Sequence, residues 1–304
     1  MNVLLIRAGA LGDVLLLRTA VAALKAAGHS VSLLAPSAPG AVLTGRGPCD
    51  VDSVLPWESA TFAGLLADDA SVSAELGAAL APFHAVIAYT RSADLLHGLG
   101  QAAPSAKIVA QPPLPPPTGP HAAAWLAQAV AQLGVDPAVT PPTFTASEAE
   151  SAQARPWLDR VGPGFLAVHP GSGARRKNWP AERFASLVED VADGRPFVLV
   201  EGPADAEAAA PLARQPSAVG ARELPPRVLG AMLARAGLYL GNDSGISHLA
   251  AAWGAPVVAL FGPTDPAQWA PIGPRVRVLR AGDGRMESLE REDVARAARE
   301  MLQV

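Results

Sequence analysis

Short, almost uninterrupted apolar runs alternate with helix-like segments along the whole chain, in two successive blocks of about 150 residues each. In the first block Val3–Ile6, Val31–Ala35, Val51–Leu55, Ala85–Tyr89 and Lys107–Val109 are expected to be strands, with helices over Asp13–Ala27, Val72–Leu80 and His121–Leu133. The second block repeats the scheme. Its expected strands are Phe165–His169, Phe197–Glu201, Leu238–Leu240, Pro256–Phe261 and Val276–Leu279, with helices near Ala181–Ala192, Asp205–Ala213, Arg227–Arg235, Ile246–Trp253 and Arg291–Leu302. A strand that wets one face alternates polar and apolar residues. These strands do not, so helices must cover both faces of parallel sheets. The expected class is α/β, with two doubly wound parallel-sheet domains facing a cleft. We place them at 1–150 and 151–304, with the polar, Pro-containing stretch Pro141–Ala154 as the hinge. A Pro-rich run, Gln111 to Pro120, precedes a helix-like segment and reads as a surface loop or a flap rather than a boundary.

Half of the 304 residues are apolar and 17% are charged, enough for two cores and too apolar for a disordered chain. Net charge is −4, which argues against nucleic acid as a partner. The charge is unevenly divided: residues 1–150 carry 6 basic and 11 acidic side chains, and residues 151–304 carry 18 and 17. Only three of the 24 cations are lysines, Lys25, Lys107 and Lys177, so each lysine is a rare choice. A single cysteine, Cys49, leaves no internal disulfide or Cys-rich metal site. The apolar N-terminus lacks a basic leader and is interrupted by Arg7, Asp13 and Arg18, so no signal peptide is expected. No apolar run reaches about 18 residues, so no membrane span is expected either. A cytoplasmic, monomeric protein fits.

Four stretches at expected strand ends could carry chemistry. Arg7-Ala8-Gly9-Ala10-Leu11-Gly12-Asp13 joins the first strand to the first helix. Its glycines allow a tight turn and a close backbone approach. Asp13 could simply cap the helix, or it could be a carboxylate at the carboxyl edge of the sheet; one residue can do both. His169-Pro170-Gly171-Ser172-Gly173-Ala174-Arg175-Arg176-Lys177-Asn178-Trp179 sets three consecutive cations after a Gly/Ser loop, as a polyanion cradle would, though a solvated basic loop looks the same. Leu240-Gly241-Asn242-Asp243-Ser244-Gly245-Ile246-Ser247-His248 runs from a strand into a helix whose free N–H groups can bind phosphate. Phe261-Gly262-Pro263-Thr264-Asp265-Pro266 is a turn at the same kind of edge.

Several chemistries lack their residues. HExxH and CxxC metal patterns are missing, as is the G-x-S-x-G elbow. G-x-G-x-x-G fails at its first spacing, since Ala10 and Leu11 separate Gly9 from Gly12. That makes an NAD-dependent oxidoreductase the weakest reading.

The ordered set Arg7…Ala10-Leu11-Gly12-Asp13, His169-Pro170-Gly171, Lys177-x-Trp179-Pro180, Asp243-Ser244-Gly245-x-x-His248 and Gly262-Pro263-Thr264-Asp265-Pro266 resembles the ADP-heptose:lipopolysaccharide heptosyltransferase family, glycosyltransferase family 9. The resemblance implies a GT-B architecture of two Rossmann-like domains. The first would be the acceptor side and the second would bind the nucleotide-sugar. It implies metal-independent, inverting transfer with no cofactor, the donor being ADP-heptose and the acceptor a cell-surface glycan or glycolipid. By motif position, Asp13 matches the catalytic base and Lys177 the lysine on the donor diphosphate. Gly12, His169, Gly171, Ser172, Arg176, Asp243, Ser244, Gly245 and His248 fall on the binding motifs, and Glu201 lies where nucleoside contacts are expected. Peripheral contact with the inner membrane face is compatible with such an acceptor. Two other readings fit the same layout: a nucleotide-sugar-binding module without turnover, and a nucleotide-sugar epimerase. A pure binder would have no use for a base at Asp13, and an epimerase would need further acid and base residues.

Overall fold

The structure, a computed structural model, describes residues 1–66 and 73–302. The chain forms two compact units, Met1–Pro142 and Thr143–Val304. Both are α/β.

The first unit holds a fully parallel five-stranded sheet. Its strands are β1 (Asn2–Ile6), β2 (Ser30–Ala35), β3 (Ser53–Pro56), β4 (Ala85–Tyr89) and β5 (Lys107–Gln111), in the order β3-β2-β1-β4-β5. The chain winds outward from β1 to β3, then returns to the other side of β1 to make β4. Direction therefore reverses between β1 and β4, and at such a switch point the two adjacent crossovers part and open a crevice at the carboxyl edge. Leu4, Ile6, Val86 and Ala88 are buried against Leu76, Leu80, Leu95 and Leu99.

The second unit holds a fully parallel six-stranded sheet: β6 (Leu166–His169), β7 (Phe197–Glu201), β8 (Ala218–Arg222), β9 (Leu238–Asn242), β10 (Val257–Phe261) and β11 (Val276–Arg280). The order is β11-β10-β9-β6-β7-β8, so the switch point lies between β6 and β9. β7, β9 and β10 are buried along their whole length, as strands covered on both faces must be. Trp179 meets Phe184 edge-on, with ring centroids 5.0 Å apart, in the middle of this core.

Several departures from the sequence reading have local causes. The expected helix Asp13–Ala27 is two helices, Leu11–Leu15 and Arg18–Ala26, because the chain tightens at Leu17, whose N–H bonds Val14 three residues back. The strand β8 has no counterpart among the expected strands; its sequence, AVGAR, is short, carries a glycine and buries only alternate residues, as an edge strand can. The stretch Pro141–Ala154 is not a free hinge beyond Ser147. The helix Glu148–Val161 starts there with a capping box: Ser147 Oγ accepts the Glu150 N–H, and Glu150 Oε2 accepts the Ser147 N–H at 2.7 Å. Half of its residues are polar and it carries Pro156, which hides it in the sequence. A helix over Ala93–Ala102, capped by Ser92, is a further addition. Of the expected helix Val72–Leu80, Val72 lies outside the described residues and Ala74–Leu80 is helical. Among the described residues no helix is long and apolar enough to cross a membrane.

Candidate functional site

Each unit gathers polar groups at the carboxyl edge of its own switch point. In the first unit β1 delivers Arg7, and the Leu11–Leu15 helix delivers Asp13 in its first turn. Asp13 is not the N-cap, which is Ala10; it reaches back, and its Oδ2 accepts the Ala10 N–H at 3.0 Å. Its Oδ1 accepts Arg7 Nη2 at 2.8 Å. Gly9 makes this possible. Its φ is +136°, and a Cβ there would stand 2.6 Å from Asp13 Oδ2. Gly12 sits half-buried beside the carboxylate.

The pair is asymmetric: the Arg7 side chain is 2% exposed and that of Asp13 32%. Burial lowers the guanidinium's proton affinity, and the Asp13 charge opposes that effect. Deleting the carboxylate would leave a cation unpaired in the interior, at a cost on the order of 3 kcal/mol. Arg7 Nη1 also donates to the Pro113 carbonyl at 2.8 Å, so the Pro-rich loop rests on the same guanidinium. Tyr89, at the end of β4, is buried and donates its hydroxyl to the Leu126 carbonyl.

In the second unit the switch point brings His169 opposite Gly241, in register across β6 and β9. Gly241 admits the Tyr239 hydroxyl, 2.4 Å from where a Cβ would be. Asn242 ties the two strand ends together. Its Oδ1 accepts the Trp179 N–H at 3.0 Å, and its Nδ2 donates to the Pro170 carbonyl at 2.7 Å. The next residue, Asp243, is buried and accepts two bonds on one oxygen, Oδ2: from Lys177 Nζ at 2.8 Å and from Thr264 Oγ1 at 2.5 Å. Three loops, after β6, β9 and β10, thus converge on one carboxylate. An ammonium has three donors, so Lys177 keeps N–H groups beyond the one spent on Asp243. Ser244 then caps the helix Gly245–Ala252, accepting the Ser247 N–H at 3.4 Å. The N–H groups of that first turn, from Gly245 onward, carry the positive end of the helix dipole. His248 is buried one turn inside.

Other expected site residues serve the scaffold. His169 Nδ1 lies 3.1 Å from the Val200 carbonyl, so that nitrogen carries the hydrogen. Burial depresses the imidazole's proton affinity, and Asp205, 3.8 Å away, counteracts in part. Gly171 has no room for a side chain, since a Cβ would fall 1.9 Å from Asp205 Oδ1. Asp205 Oδ2 in turn accepts the Gly202 N–H at 2.7 Å. Ser172 closes its own loop: its Oγ lies 2.8 Å from Ala174 O and 2.5 Å from Asn178 Oδ1, the two acceptors sharing its one hydrogen, and it accepts the Ala174 N–H. Of the three consecutive cations, Arg175 pairs with Glu207 and Lys177 with Asp243. Arg176 is exposed, with no ion pair among the described residues. Glu201 ends β7 in register with Arg222 on β8, whose Nε donates to Glu201 Oε1 at 2.8 Å. Both line a recess of about 400 Å³ together with Gly202, Pro203, Arg214 and Glu223.

Sequence reasoning does not single out Arg7, Asn242, Thr264, Asp205 or Arg222 as site residues. Thr264 has a signal, since it sits in the Gly262–Pro266 turn. Asp205 and Arg222 have none: the first is far in sequence from His169 and Gly171, and the second stands on the unforeseen strand β8. Among the described residues no group of three His, Cys, Asp or Glu side chains is placed to hold a metal ion.

Two doubly wound α/β units, each with its polar groups at the switch point, define the architecture of GT-B glycosyltransferases. The solved structure of a glycosyltransferase family 9 protein from Veillonella parvula shares the fold, with a TM-score of 0.82 at 20% identity over 99% of this chain and 97% of that one. So does Escherichia coli ADP-heptose lps heptosyltransferase II, with 0.79 at 21% over 100% and 99%. The profile of glycosyltransferase family 9 (heptosyltransferase) matches residues 85–298, and the chain belongs to that family. Among curated relatives, lipopolysaccharide heptosyltransferase 3 of Escherichia coli is 31% identical over 162 residues, 50% of this chain and 48% of that protein. The match thus spans about a third to a half of the length of these curated relatives.

Proposed function

We propose that the chain is an inverting, metal-independent glycosyltransferase that moves a heptose from ADP-heptose to a hydroxyl of a lipopolysaccharide-type glycan or glycolipid. The observation that carries this reading is the convergence of Lys177, Asp243 and Thr264 at the start of the Gly245–Ala252 helix. The remaining N–H groups of the ammonium and the free N–H groups of the helix start together suit a diphosphate. The family membership and the names of the relatives support the heptose and its nucleotide.

In the proposed reaction the acceptor hydroxyl gives its proton to Asp13 as its oxygen attacks the anomeric carbon of the donor. The bond from that carbon to the diphosphate breaks, and its electron pair leaves with the phosphate oxygen. Configuration at the carbon inverts because attack and departure are on opposite faces. Lys177 and the helix start neutralise the charge that gathers on the leaving group, with Arg176 nearby in sequence. Glu201 and the recess beside it are the proposed nucleoside end of the donor site. The protein would act at the cytoplasmic face of the membrane that holds its acceptor.

The test is transfer from ADP-heptose against UDP- and GDP-sugars, with thermal stabilisation by ADP, UDP and GDP alongside. Selective turnover of ADP-heptose, lost in Asp13→Asn and Lys177→Ala, is expected. Full turnover in either variant would sink the assigned roles, and no response to any nucleoside diphosphate would sink the donor reading.

A further inference from the structure

We propose that Arg7 is a positioning residue that couples the Pro112–Pro120 loop to the Asp13 carboxylate, so that an acceptor touching the loop also sets the geometry of the base. This rests on the role proposed for Asp13.

One guanidinium carries both connections. Its Nη2 holds Asp13 Oδ1 and its Nη1 holds the Pro113 carbonyl, each at 2.8 Å. The planar fork fixes the angle between these two bonds, so a shift at one acceptor is felt at the other. Lysine offers a single nitrogen without the rigid fork, so it would not fix the two acceptors relative to one another. The site is a poor choice for stability alone: Arg7 is 2% exposed, and its Nε has no hydrogen-bond partner among the described residues. A buried cation with an unmet donor is costly, and an apolar side chain of similar volume serves a core as well or better.

The loop is conformationally restricted. Prolines at 112, 113, 115, 116, 117 and 120 restrict its backbone. Gly119 closes a tight turn on Pro116, with N–H to carbonyl at 2.8 Å and no room for a Cβ. A further anchor is Trp125, whose Nε1 donates to the Pro112 carbonyl at 2.8 Å. Leu114, Pro116, Pro117 and Thr118 form its exposed edge, which begins one residue after the carbonyl that Arg7 grips.

The experiment compares Arg7→Met, Arg7→Lys, Trp125→Phe and the double Arg7→Met/Trp125→Phe in the full chain. Turnover with ADP-heptose, ADP affinity by calorimetry and thermal midpoint are measured for each. Arg7→Met is expected to lower kcat about 100-fold and Arg7→Lys about tenfold, the range a misplaced catalytic group produces. Trp125→Phe, which removes one anchor of the loop without touching Asp13, is expected to lower kcat several-fold. The double variant should be no slower than Arg7→Met, because both changes break one unit. ADP affinity should stay within about twofold throughout, since the donor groups belong to the second unit, while a defect that is only structural would lower the thermal midpoint and leave kcat per folded molecule intact. A kcat near that of the natural chain in Arg7→Met overturns the proposal. If that variant does not fold, an unchanged kcat in Trp125→Phe does so. Absence of turnover in the natural chain, by contrast, would count against the proposed function itself.

Discussion

Lys177 and Asp243 lie 66 positions apart and meet at 2.8 Å, the side chain of Asp243 9% exposed and that of Lys177 23%. The lysine therefore has two tasks, to neutralise Asp243 and to face the proposed diphosphate. Its loss would leave a buried carboxylate aimed at an anionic ligand. Lys177→Ala should weaken ADP binding about 100-fold, more than one surface cation would contribute. Removing the carboxylate as well removes the repulsion. Lys177→Ala/Asp243→Asn should then bind ADP more tightly than Lys177→Ala, by calorimetry. Equal or weaker binding in the double variant would show that the pair is not coupled in this way.

Asp13→Asn should separate catalysis from capping. The amide oxygen can still accept the Ala10 N–H, but it carries no charge for Arg7. Turnover should fall by about a thousandfold, as loss of a general base does. Urea denaturation should also show a loss on the order of 2–3 kcal/mol from the unpaired guanidinium. Unchanged stability would mean that Arg7 finds another partner.

Gly9 and Gly28 both have positive φ, +136° and +76°, yet only Gly9 is sterically confined. At Gly28 nothing lies within 4 Å of the place a methyl group would take, so Gly28→Ala should cost about 1 kcal/mol of backbone strain and leave activity intact. Gly9→Ala adds a collision with Asp13 Oδ2 and should abolish most turnover by displacing the base. Paired kinetics and denaturation curves decide it. Equal behaviour of the two variants would refute the contact.

His169 should make the chain acid-sensitive. Burial holds its proton affinity below the ordinary value of 6.5, against the pull of Asp205. The unfolded chain therefore takes up a proton first as pH falls. Stability from the neutral ring is complete above about 6.5 and is lost as pH drops through the lower, folded value. Urea midpoints between pH 8 and about 5 should fall with acid in the natural chain and less steeply in His169→Gln. Parallel profiles would assign the acid sensitivity elsewhere.

The α/β class is legible in the sequence because it depends on a repeating pattern. Runs such as Val3–Ile6 and Phe197–Glu201 are apolar at nearly every position, which only a strand covered on both faces tolerates. The helix Glu148–Val161 is hard to read despite its Ser147-x-x-Glu150 start, since half of its residues are polar and Pro156 stands inside it. Equally hard to read is the edge strand β8, whose burial alternates along its length.

For the site, the sequence by itself set the chemical types and their order: a carboxylate after β1, cations after β6, a capped helix after β9. Their positions at strand ends follow from periodicity alone. Only the tertiary structure decided which of them meet. Asp243 joins Lys177 and Thr264 because β9 lies between β6 and β10 in the sheet, an order that no local pattern encodes. Arg7 joins Asp13 to Pro113 because β1 and β5 flank β4, so their carboxyl ends come close although 106 positions separate Arg7 from Pro113. Hydrogen bonds and ion pairs act over a few ångströms. Sequence distance says nothing about them until the sheet order has been fixed.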